Sequence, residues 1–440
     1  MSDYMFMLES VLNAEQNRVL EQVQTAAAEA GISLFLAGGG MRDMLSGVRI
    51  RDLDFTLEGN ALKVVKALEE SAGARVLRMD ENRRCAELLF PDGVQAQIAM
   101  ARKERYAKTG AKPQVTPATI QEDLRGRDFT VNAMALSLNR ASRGLLLDPT
   151  NGLADLGHKE MRSTNSYVFY DDPSRMLRLV RLRVRLGFAV EERTRTQFDN
   201  AREAKVQELI PPRVLGEELK AIAGEPVPSD VLAGLETEGL LTLFSPALTG
   251  GKLNLPGIVK LEKAQALVDS AGVPATPKFP AFLHALTGKL SPKEKAALLK
   301  GVEVPKAELD LLKALEPRAK KLEAALKASG IRKPSQVYLA LADAPGDLMA
   351  FLLCHSTQKV APDRIRAYLQ KYLPMIQEIP ESDWAAIEGE PGTPKYRRNR
   401  QAFVAARLDV KPPKPEEQAE VVPAAEPAPA PVEVVRGRRG

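Results

Sequence analysis

Cysteine is scarce: the 440-residue chain has only Cys85 and Cys354. They lie far apart, so no disulfide framework and no cysteine-rich zinc site can be built from them. A reducing compartment follows, and the cytoplasm is the expected location. Histidine is almost as rare, with His158, His284 and His355 widely separated. That excludes a histidine-based metal hydrolase, including a phosphohydrolase of the His-Asp type. No stretch reaches the roughly 18 consecutive apolar residues that a membrane-spanning helix needs. The opening segment carries Asp3, Glu9, Glu15 and Glu21 and no long apolar run, so no signal peptide is expected there. Aromatic residues are only 5%, which leaves aliphatic side chains to build the core. No strong charge excess exists either. The net charge is +5, mildly basic and compatible with a polyanionic partner without identifying one.

What is present divides the chain by texture. Hydrophobic residues make up 44%, enough for a sizeable core, and the length allows several domains. Residues 11 to 30 carry Leu12, Val19, Leu20 and Val23 at helical spacing, and Gly31 ends that helix. Ile32–Leu36 and Leu53–Leu57 read as strands, with a glycine turn at Ala37–Gly40 and a helix start at Met41–Leu45. Ala61–Glu70 reads as a helix ending near Gly73. Cys85–Phe90 and Val94–Ala99 read as strands joined by the turn Pro91-Asp92-Gly93. Beyond about residue 165 strand patterns vanish, and Leu, Ala, Lys and Glu recur at helical spacing, as in Lys293–Val302 and Lys306–Leu326. The last 30 residues, Lys411–Gly440, are rich in Pro and Ala and read as a disordered tail.

Two local patterns carry chemistry. In Leu36-Ala-Gly-Gly-Gly-Met-Arg-Asp43, glycines lie between a strand and a helix. Backbone N–H groups at such a turn attract phosphate, and glycine permits close approach. Downstream, Asp52 and Asp54 alternate on a strand, so both point to one face. Paired carboxylates are costly unless a cation sits between them, and magnesium prefers oxygen ligands of this kind. Turn and pair together suit a triphosphate–metal site.

Gly38-Gly-Gly-Met-Arg-Asp43 followed by Asp52-Leu-Asp54 resembles the signature of the class II tRNA nucleotidyltransferase and poly(A) polymerase family. Three further blocks resemble that family in order: Arg127-Asp-Phe-Thr-Val-Asn-Ala133, Asp148-Pro-Thr-Asn-Gly-Leu-Ala-Asp-Leu156, and Asp171-Asp-Pro-Ser-Arg175 continuing to Arg178 and Arg181. The match covers about residues 32 to 190. It implies an α+β fold, with a polymerase-β-like nucleotidyltransferase head containing a mixed sheet and an all-α neck, body and tail. The expected boundaries are 1–165 for the head, 166–230 for the neck, 231–330 for the body and 331–410 for an RNA-binding tail. It further implies Mg2+ held by Asp52 and Asp54, Gly38, Gly39 and Arg42 toward the triphosphate, and Arg127 and Asp128 near the ribose. Asp172 and Arg175 would read the base, with Arg178 and Arg181 approaching the nucleotide. The implied reaction is attack of a tRNA 3′-hydroxyl on CTP or ATP, adding CCA and releasing pyrophosphate.

The residues support part of this directly. Asp and Arg together present acceptors and donors in fixed geometry. Arg175, Arg178 and Arg181 recur every three residues on one side of a helix, which Asp172 would cap with Pro173 in its first turn. Pro173–Val190 holds five arginines and no acid, a positive field for phosphates. Three positions depart from the family pattern. Gln97 stands where the family commonly has an acid, Gly126 replaces the first arginine of the ribose block, and Met41 replaces valine. An acid restored at position 97 is expected to keep or raise activity.

Lys103–Pro117 resembles the family's flexible loop, which disfavours a CC-only enzyme. Pro394–Lys414 carries seven Lys/Arg and one acid, with Tyr396 and Phe403 interleaved, a composition suited to RNA. CCA addition is the leading expectation. A poly(A) or A-adding enzyme, or a catalytically weakened RNA-binding member of the family, is the alternative.

Overall fold

The computed structural model describes residues 4–50, 53–274 and 276–410. Asp52 and the Pro/Ala-rich tail therefore lie outside the described residues. The described residues divide into two compact units, one within 4–323 and 345–359, the other of 324–344 and 360–410.

The first unit opens with helices α1 (Tyr4–Val11) and α2 (Ala14–Glu29). Asn13 and Gln16 form a reciprocal capping box at the start of α2. Strand β1 (Ser33–Ala37), helix α3 (Gly39–Leu45), strand β2 (Leu53–Glu58) and helix α4 (Ala61–Ala72) follow. Gly73 closes α4 in the left-handed conformation. Then come β3 (Arg75–Asp80), β4 (Cys85–Leu89) and β5 (Gln95–Met100), with β4 and β5 paired antiparallel across the expected turn. The expected loop at 103–117 is partly ordered. Its ends pair as a ribbon of β6 (Arg102–Arg105) and β7 (Gln114–Pro117). Helix α5 (Ile120–Arg125) and strands β8 (Ala135–Ser137) and β9 (Leu146–Leu147) complete the head.

The main sheet has seven strands in the order β3-β4-β5-β2-β1-β8-β9. Only the β2–β5 pair within it is parallel, so the sheet is mixed as expected. One face buries Leu36, Phe55, Leu57, Leu88 and Ile98, with α4 packed against β2, β4 and β5. On the other face Phe35, Ala37 and Ala135 cluster with Ile120 and Leu124 of α5. That helix covers the β1–β8 half. The β2–β5–β4 half stays polar, with Gln95, Gln97 and Glu87 exposed.

After β9 come α6 (Gly152–His158), β10 (Glu160–Met161), α7 (Val168–Asp171), α8 (Arg175–Leu186) and β11 (Ala189–Val190). The short parallel pair β10–β11 is a strand signal beyond residue 165 that sequence texture hides. Helices fill the rest of the unit, including Pro292–Gly301 and Lys306–Lys327, the latter carrying Pro317 inside it. In the second unit, helices Pro334–Leu341 and Pro394–Leu408 pack together. No single helix among the described residues is long and apolar enough to cross a membrane.

Candidate active site

The glycine turn meets Asp54 directly. Gly38 has φ +72°, a conformation open to glycine and strained for other residues. A Cβ on Gly38 would lie 3.3 Å from Asp54 Oδ2 and 3.1 Å from Arg127 Nη1; one on Gly39 would lie 3.8 Å from Asp54 Oδ2. The turn is therefore a cradle with a carboxylate on one wall and a guanidinium on another. Any side chain there would fill it.

Arg127 is held from several sides. It donates from Nε to Asp123 Oδ2 at 3.0 Å, from Nη1 to the Asn132 carbonyl at 3.3 Å, and from Nη2 to Thr56 Oγ1 at 3.1 Å. Asp123 also accepts from the Arg102 N–H. Arg42 is only 2% exposed, so its guanidinium is not presented to solvent. It donates from Nε and Nη2 to Asp43 Oδ1 at 3.0 and 2.7 Å, and from Nη1 to Asn132 Oδ1 at 2.6 Å. Asn132 lies in the ribose block but drew no role from the sequence. It is the hinge point of this network, and its place in the block was the available signal.

Asp128 is buried. Its Oδ1 accepts from the Phe129 N–H and Asn132 Nδ2, and its Oδ2 accepts from Arg178 Nε and Nη2 at 2.9 and 2.6 Å. Burial opposes its charge, but Arg178 and Arg175 outweigh that and hold the carboxyl well below the usual range. Asp128 in turn is the main cause that raises Arg178 above its ordinary value. Because the folded carboxyl is depressed, its contribution is present above the unfolded value near ~4 and fades as pH falls below it. The Arg178 side chain is 39% exposed, so solvent screens the pair. Asp128→Asn is expected to cost about 2 kcal/mol at pH 7. Urea midpoints should show the gap between parent and variant closing as the medium is acidified.

Asp172 and Arg175, the pair expected to read the base, sit beside this. Helix α8 starts at Arg175, two residues later than the sequence predicts, because Pro173 and Ser174 form a turn first. Asp172 Oδ1 accepts from the Ser174 N–H at 3.0 Å and its hydroxyl at 2.6 Å. Arg175 Nε lies 4.0 Å from Asp172 Oδ2, and Arg175 Nη2 donates to the Gly126 carbonyl at 3.1 Å. Tyr106 was missed in the sequence. Its hydroxyl donates to Glu104 at 2.6 Å and it feels the charges of Arg175 and Asp172. Burial works against the Glu104 charge, yet Tyr106, Arg102 and Arg83 hold its carboxyl down at about 2.

Arg181 is paired with two glutamates rather than with Asp128 or Asp172. It is 8% exposed, with Nε 3.1 Å from Glu218 Oε2 and Nη1 2.9 Å from Glu225 Oε1. Arg185, also unremarked in the sequence, lies 3.2 Å from Asp43 Oδ2 and 3.8 Å from Glu225 Oε2. The Asp148 block is structural: its carboxylate accepts from the Gly152 and Leu153 N–H groups. A Cβ on Gly152 would come within 2.1 Å of the Thr130 carbonyl, so only glycine fits. Asp155, His158 and Glu160 bring three ligand atoms close together, but Asp155 already accepts from Thr130 and Arg162.

Residues 34–162 match the poly A polymerase head domain. That match covers the mixed-sheet part of the chain, and the curated relatives to which the chain is similar are tRNA nucleotidyltransferases. It is 34% identical over 232 residues to an A-adding tRNA nucleotidyltransferase of Halalkalibacterium halodurans, covering 52% of this chain and 54% of the relative. It is 35% identical over 246 residues to a CC-adding tRNA nucleotidyltransferase of Deinococcus radiodurans, covering 56% of this chain and 61% of that one. The chain thus spans little more than half the length of these curated relatives. Its fold is similar to a solved CCA-adding enzyme in apo form, with TM-score 0.55, 23% identity, and 94% and 96% of the two chains covered.

Proposed function

We propose that this protein adds CCA to tRNA 3′ ends without a nucleic-acid template, transferring CMP and AMP from CTP and ATP and releasing pyrophosphate. One observation carries the reading: the Asp54 carboxylate faces the glycine cradle, with Arg127 on the same side. The donor set fits Mg2+, a hard cation that takes carboxylate oxygens and leaves positions for phosphate. Asp54, with Asp52, would hold it. When bound, such cations acidify an attacking hydroxyl and steady a triphosphate.

The chain's own residues do the rest. Gly38 and Gly39 let phosphate approach the backbone, and Arg127 adds a fixed positive edge to the cradle. Arg42 acts from behind, locking the turn through Asp43 and Asn132. Asp128 and Arg178 brace the ribose side. Asp172 and Arg175 offer an acceptor and a donor to the incoming base in place of a template. In the second unit, Lys395, Arg397, Arg398, Arg400 and Arg407 are exposed on helix Pro394–Leu408, and Arg400 lies over the Trp384 ring at 5.4 Å. Phosphate contact and stacking of this kind suit tRNA.

A second reading, addition of A alone, is favoured by the similarity to an A-adding enzyme. The test uses tRNA lacking its 3′ end and tRNA ending in CC, with Mg2+ and labelled CTP and ATP. Ordered CTP then ATP incorporation supports CCA addition. ATP incorporation onto the CC-ending tRNA alone supports A addition, and long A tails support poly(A) synthesis. Binding without incorporation indicates a weakened RNA-binding member. In the same assay Arg175→Ala is expected to change the CTP/ATP ratio more than tRNA affinity. Equal loss with both nucleotides would count against base reading by Arg175.

A further inference from the structure

The open half of the head sheet carries one row of polar side chains across three strands. Asp54 pairs with Gln97 between β2 and β5, and Gln97 pairs with Glu87 between β5 and β4. Directly opposed residues share a face and bring their Cβ atoms to about 5 Å. The row therefore runs Asp54, Gln97, Glu87, with Asp54 at the glycine cradle. Strand β5 has no acid at all, since it reads Gln-Ala-Gln-Ile-Ala-Met. The next carboxylate in the row is one strand further out.

Glu87 is available. Its outer neighbour in the register is Arg78, whose guanidinium donates to Glu217 at 2.7 Å. Among the described residues, neither Glu87 nor Gln97 makes an ion pair or side-chain hydrogen bond, and both are exposed on this face. A glutamine amide has two ends, an acceptor oxygen and a donor NH2. A carboxylate on the β4 side can draw the NH2 that way, which would leave the oxygen for the Asp54 side.

We infer that Glu87 is a positioning residue for the divalent cation at Asp54, acting through Gln97. With a cation bound at Asp54, Glu87 would accept from the Gln97 amide, aim its carbonyl oxygen toward the cation, and supply from β4 the negative charge that β5 lacks. The inference rests on the proposed role of Asp54 and deepens it. It makes Gln97 a neutral ligand with a charged support behind it, an arrangement in which the outer partner governs affinity.

The test is Mn2+ binding to the full-length protein without nucleotide, read from the electron paramagnetic resonance signal of free Mn2+. Glu87→Gln is expected to weaken the site by about 10-fold. In a Gln97→Asp background, which puts the acid back on β5, the same Glu87→Gln change is expected to have little effect. Asp54→Asn in the parent should remove the site. If Asp54→Asn removes it while Glu87→Gln leaves Mn2+ affinity unchanged, this inference falls and the Asp54 assignment stands. Equal weakening by Glu87→Gln in both backgrounds also overturns it, because Glu87 would then act independently of Gln97. If Asp54→Asn leaves binding intact, the underlying reading of the site fails instead.

Discussion

Asp54→Asn is expected to lower nucleotide incorporation by about a thousandfold or more, because cation-held charge is worth several kcal/mol in the transition state and each 1.36 kcal/mol is tenfold. The substitution keeps shape and hydrogen-bonding capacity while removing the charge. Asp54 lies at the head's polar face rather than in its core, being half-buried between the buried Leu53 and Phe55. The fold and tRNA affinity should therefore survive, which circular dichroism and a tRNA binding titration can check. Incorporation within a few-fold of the parent would remove Asp54 from the catalytic machinery and take the cation assignment with it.

Arg181→Met is expected to act in the opposite way, on stability and not on nucleotide choice. Its guanidinium is shared by Glu218 and Glu225, whose side chains are 9% and 3% exposed. Removing the cation leaves two buried carboxylates with reduced compensation, a loss of about 3–5 kcal/mol. Thermal unfolding should move down sharply, while the CTP/ATP ratio of the surviving folded protein stays as in the parent. Replacing Arg181, Glu218 and Glu225 together by apolar residues should recover much of the loss, since the penalty comes from stranded charge. A change in nucleotide preference with unaltered stability would place Arg181 at the nucleotide, as the family resemblance implies.

The contrast between these residues shows what the sequence could and could not reveal. The glycine turn, strand β2 and the β4–β5 hairpin were legible because each has a local cause: positive-φ glycine, alternation, and a Pro-Asp-Gly turn. Strand β3 was not, because Arg75–Asp80 is largely exposed at the sheet edge and shows no buried alternation. Strand β8 has three residues, all buried, and so has no period to read. Arg42 was legible as a component of the turn, but not as a buried one. Its partner Asn132 is 90 positions away in sequence. Arg181 fitted a three-residue spacing whose physical meaning was only that it shares a helix side with Arg175 and Arg178. Glu218 and Glu225 come from a later helix and its end, and no local pattern announces them.

Helix α8 closes a ring of contacts with the elements before it. Starting from α8, Arg178 meets Asp128, Asp128 meets Asn132, Asn132 meets Arg42, Arg42 meets Asp43, and Asp43 returns to Arg185 of the same helix. The path is a closed loop of alternating donors and acceptors, bolted to α8 at points two helical turns apart. In such a loop the worth of any member depends on its neighbours, so single substitutions will not sum. Natural variation at these positions is accordingly expected to travel in matched sets, with a lost positive charge accompanied by a lost negative one at the adjoining link.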